Sequence, residues 1–61
     1  MSRLEMRLRL SGTRDNAKFI IDAIHEIIEE EGGTCPEYEQ ILAREQAVYD
    51  VCIEALAELA A

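Results

Sequence analysis

Charged and apolar positions alternate without a break from Arg3 to Leu10: Leu4, Met6, Leu8 and Leu10 fall on even numbers, Arg3, Glu5, Arg7 and Arg9 on odd ones. Successive side chains of a strand point to opposite faces, so this period predicts a half-buried strand over residues 3–10. Ser11-Gly12-Thr13 then reads as a turn, with Gly12 free to take a positive φ and Thr13 placed to cap a helix. From Arg14 to Glu31 the period changes. Ala17, Ile20, Ile21, Ile24, Ile27 and Ile28 recur at helical spacing, and Phe19 and Ala23 widen the apolar face. Gly32-Gly33 predicts the stop of this helix, one of the two glycines serving as a left-handed cap. Thr34 followed three residues later by Glu37, with Pro36 between them, has the form of a capping box. It opens a second predicted helix, about residues 35–60, with a stripe of Tyr38, Ile41, Leu42, Val48, Cys52, Ala55, Leu56 and Leu59. Tyr49 and Ile53 lie on a second flank.

A lone strand leaves its backbone N–H and C=O groups without partners in its own chain. The expected solution is a twin. The fold expected from the pattern is mainly α: one strand-helix-helix domain over residues 1–61, forming a homodimer on a two-stranded ribbon. Length favours such a dimer, because a domain of about 60 residues buries only ~60% of the surface its unfolded chain exposes. The second predicted helix is also the longer, which leaves its last turns, from Cys52 onward, without cover from the first. Leu4, Met6, Leu8, Leu10, Cys52, Leu56 and Leu59 are the expected dimer interface.

Charge divides the chain. The net charge of −7 conceals a basic start, with five cations against two carboxylates in residues 1–18. Residues 19–61 hold Arg44 alone against eleven carboxylates. Such asymmetry implies two surfaces with different partners. Cys35 and Cys52 are 17 residues apart, roughly 25 Å along one helix, so no bridge between them is expected. Two free thiols, with no signal peptide and no apolar run of membrane-spanning length, lead to an expected cytoplasmic location.

The order strand, short turn, helix, Gly-containing turn, helix resembles the ribbon-helix-helix family of DNA-binding repressors, the Arc- and MetJ-like proteins. The resemblance rests on the Arg3–Leu10 alternation, the helix entry at Thr13, and Gly32-Gly33-Thr34-Cys35-Pro36-Glu37. It implies an intertwined homodimer whose two-stranded antiparallel ribbon enters the major groove of double-stranded DNA, with Glu5, Arg7 and Arg9 on the reading face and Arg3 at its edge. Arginine offers a fork of donors that suits the O6 and N7 acceptors of guanine, and Glu5 can accept from cytosine N4. Arg14 and Lys18, one turn apart, would reach the flanking phosphates. The function implied is a small sequence-specific transcriptional repressor.

The acidic helices suggest a different class. A compact acidic dimer can occupy the basic site of another protein, as an inhibitor, an antitoxin or a mimic of nucleic-acid charge. His25, the only histidine, has Asp22, Glu26 and Glu29 around it at helical spacing. Without a matched carboxylate pair on the second helix, the set falls short of a di-iron pattern, and no metal or cofactor is expected. There is no phosphate-binding glycine loop, nucleophile elbow or zinc spacing, so no enzyme activity is expected.

Overall fold

Ser2 starts the first helix. Its Oγ accepts from the Glu5 amide at 3.1 Å and donates to the Glu5 carboxylate at 3.3 Å, so Ser2 caps the helix through its hydroxyl alone. In the computed structural model, which describes all residues from Met1 to Ala61, helix α1 then runs unbroken from Arg3 to Glu31. The strand expected over residues 3–10 is not formed, and neither is the antiparallel ribbon. The physical reason lies in the residue types. Arg, Leu, Glu and Met are all strong helix formers, and the segment has no β-branched residue. A helix also closes its own backbone hydrogen bonds, which a solitary strand cannot do. At helical spacing Met6 and Leu10 fall in line with Ala17, Ile21, Ile24 and Ile28; Leu10 is half-buried there, while Met6, nearer the helix start, stays exposed. Leu4 and Leu8 point away from this line and are each 64% exposed.

Gly12 and Thr13 lie inside α1, so the expected turn and cap at this point are absent. Gly32 alone takes a positive φ, at 75°. Its amide donates to the Glu29 carbonyl at 3.3 Å and the Gly33 amide to the Ile28 carbonyl at 3.1 Å, the paired closure expected at a glycine-terminated helix. Helix α2 spans Pro36–Ala60, with Cys35 as its N-cap and Pro36 in the tolerated first position. The Thr34 capping box does not form. Thr34 Oγ1 instead donates to the Cys35 carbonyl at 3.4 Å. Tyr38 ties the turn together, its hydroxyl donating to Glu31 Oε2 at 2.9 Å across the two helices.

The two helices lie antiparallel as a hairpin of 44 × 17 × 14 Å, with 54 of the 61 residues helical. This architecture is all-α, with no sheet. With 29 residues α1 is about 43 Å long, against about 38 Å for the 25 residues of α2. The first helix is therefore the longer, and α2 has no overhang. The Arg3 guanidinium donates to the Leu59 carbonyl, where a cation also suits the negative end of the α2 dipole. Cys52, assigned to a dimer interface by its sequence position, is 4% exposed inside the hairpin, and Leu10, Leu56 and Leu59 are half-buried. Only Ala17, Ile21, Ile24 and Cys52 are buried, so two helices alone build a very thin core. Both cysteines are free thiols.

Candidate interaction surfaces

The residues expected to read DNA do not share a face. At about 100° per residue, Arg3, Glu5, Arg7 and Arg9 are distributed around α1 rather than lined up on one side. Arg3 is engaged at Leu59, and Glu5 closes the Ser2 cap. Arg14 Nε pairs with Asp15 Oδ1 at 3.0 Å. Lys18 Nζ donates to both carboxylate oxygens of Asp22, at 2.8 and 3.0 Å. That hydrogen bond, and then the Asp22 charge, raise the Lys18 pKa above its ordinary 10.5. Arg7 and Arg9 form no ion pair. What remains of the proposed reading face is a set of cations dispersed around one end of a rod.

Folding the chain back on itself redistributes charge in a way that the linear sequence conceals. Residues 1–18 lie beside the second half of α2, so their five cations share this end of the hairpin with Asp50, Glu54 and Glu58 as well as Glu5 and Asp15. This open end of the hairpin is therefore net neutral. The loop end, residues 19–45, carries eight carboxylates and Arg44, and holds the entire net charge of −7. Glu29, Glu30 and Glu31 finish α1, while Glu37 and Glu39 stand in the first turn of α2. The macrodipole disfavours the first group by a few tenths of a kcal/mol each and favours the second by a similar amount. All five are exposed.

A second surface is apolar. Thr13 of α1 and Ala47, Val48, Val51 and Cys52 of α2 line an open groove of about 380 Å³ along one side of the hairpin. Ile20 and Ile27 follow Thr13 at seven-residue intervals, so they continue the same line along α1 and are half-buried. Phe19 stands at the outer edge of this face and is 73% exposed, while Val51 is 61% exposed. The sequence signal for this surface was the width of the α1 apolar set. Phe19 and Ala23 extend beyond the arc that one partner helix can cover.

Asp22, His25, Glu26 and Glu29 are exposed on α1, and Asp22 is taken by Lys18. No three His, Cys, Asp or Glu side chains converge as a metal-binding group. Neither helix is long and apolar enough to cross a membrane. The fold and its surfaces define a two-helix antiparallel hairpin with an acidic tip and an uncovered apolar side. No protein-family model, curated protein or solved structure matches the chain.

Proposed function

We propose that this chain is a protein-interaction module whose acidic loop end docks on a basic surface of another protein. One observation carries the reading: folding concentrates the whole net charge of −7 in residues 19–45, around a tip built from Glu29, Glu30, Glu31, Glu37 and Glu39. Such a field raises the encounter rate with a basic partner and selects against acidic ones. The tip is also held in shape, by the Gly32 closure and by the Tyr38–Glu31 hydrogen bond. A rigid acidic display loses little entropy on docking. DNA readout through a paired ribbon has no structural carrier in a hairpin, and a duplex would meet dispersed arginines at an end that is net neutral.

Titration with a helical Lys/Arg-rich peptide of ~20 residues, set against a 20-base-pair duplex of similar length scale, separates the two readings. The peptide is expected to bind, more weakly as salt rises. Removing three tip charges together, as Glu29→Gln, Glu30→Gln and Glu31→Gln, is expected to weaken it about tenfold, at ~0.5 kcal/mol per charge. Glu54→Gln with Glu58→Gln, at the open end, should leave it nearly unchanged. Tighter binding to the duplex, or equal losses from the two sets of variants, contradicts the assignment.

A further inference from the structure

The hairpin exposes more surface than a finished molecule of its size. Folded monomers of 6.9 kDa expose about 4,000 Å² on the general size scaling, whereas this chain exposes 4535 Å². On the groove face this exposure includes Val51, 61% exposed, with Phe19, 73% exposed, at its edge. The broad side that carries the Thr13–Val51 groove measures 44 × 17 Å, about 750 Å² in projection, close to the ~800 Å² per partner of a standard stable interface.

We propose that a second copy of this chain covers the groove face, its loop end beside the first copy's open end, so that two hairpins close into a four-helix bundle. Charge selects this orientation. Stacking the hairpins with loops together would set −7 directly on −7. Reversing one copy sets each −7 end beside a net-neutral end that holds Arg3, Arg7, Arg9, Arg14 and Lys18. The two acidic tips then stand far beyond the ~10 Å over which salt screens exposed charges. Packing is consistent with it as well. Phe19 sits near the middle of α1, so a twofold axis across this face brings the two phenylalanine rings close to the axis. Val48 and Val51 of each copy then lie against α2 of the other, and Ile20 against α1, adding apolar cover to the core that Ala17, Ile21, Ile24 and Cys52 begin. Both acidic tips remain at the poles of the pair. The inference goes beyond the proposed docking function and stands without it.

Two measurements test it. The native mass at ~100 μM, well above a μM Kd, is expected to be twice the 6.9 kDa of the chain. Phe19→Glu and Val51→Glu should each return it to the single-chain mass, while Leu4→Glu, which faces elsewhere on α1, should leave it doubled. For orientation, a Cys52→Ala chain spin-labelled at Cys35 reports the separation of the two loop ends. Opposed hairpins place the labels on the order of one 44 Å rod length apart, whereas aligned hairpins place them within about 20 Å. A single-chain mass for the parent protein, a short label distance, or a dimer that survives both Phe19→Glu and Val51→Glu would overturn the proposal. Phe19 has little of its surface buried in the subunit, so its variant separates loss of association from loss of fold.

Discussion

The two ends of this hairpin are built on opposite terms. The loop end is the better packed, with Phe19 at its boundary the one large apolar side chain exposed there, and it is unbalanced in charge. Ile21 and Ile24 are buried there, Gly32 closes α1, Tyr38 bridges to Glu31, and the surface holds the net charge. The open end is balanced in charge and incomplete in its packing, with Met1, Leu4, Met6, Leu8, Val51 and Ile53 all exposed. The comparison shows that apolar burial and charge balance need not be satisfied in the same place. Each end lacks what a partner can supply: cations at one, apolar cover at the other.

The sharpest way to break this contrast is to remove an equal amount of side chain from both ends. Ile24→Ala, in the loop half, removes a buried branched side chain and is expected to cost about 2–4 kcal/mol, enough to unfold a chain with so thin a core. Leu8→Ala, at the open end, should stay within about 0.5 kcal/mol, because Leu8 is mostly in solvent. Urea titration of both variants at one protein concentration checks the pair. Equal losses would mean that Leu8 is covered in the working protein by something other than the groove face.

Smaller effects sharpen the account of the open end. Gly12 lies in the interior of α1, with open space where a Cβ would stand, so Gly12→Ala should stabilise by about 1 kcal/mol and raise Tm by about 4–8 °C. Were Gly12 a turn residue with positive φ, the same change would destabilise. Ser2→Ala removes the cap and should cost about 1 kcal/mol in thermal melts. At the loop end, the hydrogen bond from Tyr38 to Glu31 raises the Tyr38 pKa above its ordinary 10.0. Its folded value thus exceeds the unfolded one, so the stabilisation is fully present below pH ~10 and lost as pH rises through the folded value. Phenolate absorbance should show Tyr38 titrating at lower pH in Glu31→Gln than in the parent; an unchanged midpoint would remove this tie from the account.

The loop end was the more legible in the sequence. Gly32-Gly33 marked the helix stop, the isoleucine spacing marked the buried stripe, and Pro36 marked the start of α2 to within a residue. The open end was misread because its pattern is degenerate. Arg3–Leu10 alternates with the period of a strand, yet Met6 and Leu10 are also four apart and fit a helix whose other leucines face outward. Residue type resolves the ambiguity: no β-branched residue from 3 to 10, and Ser2 three before Glu5 as a helix start. The ribbon, the reading face of Arg3, Glu5, Arg7 and Arg9, and the C-terminal overhang all followed from that one choice of period. The groove face was legible only as excess apolar width at Phe19 and Ala23. Its position beside Val48 and Val51 depends on how the two helices pair, which spacing along one chain does not specify.

Everything at the open end depends on a single helix passing through Gly12 without a break. Backbone Cα chemical shifts with amide nuclear Overhauser contacts over residues 3–13 test this most directly. A continuous helical displacement of the shifts from Arg3 through Thr13, with contacts between residues three apart, is the result expected. Extended-chain shifts over Arg3–Leu10, with amide contacts between two copies of that segment, would contradict it.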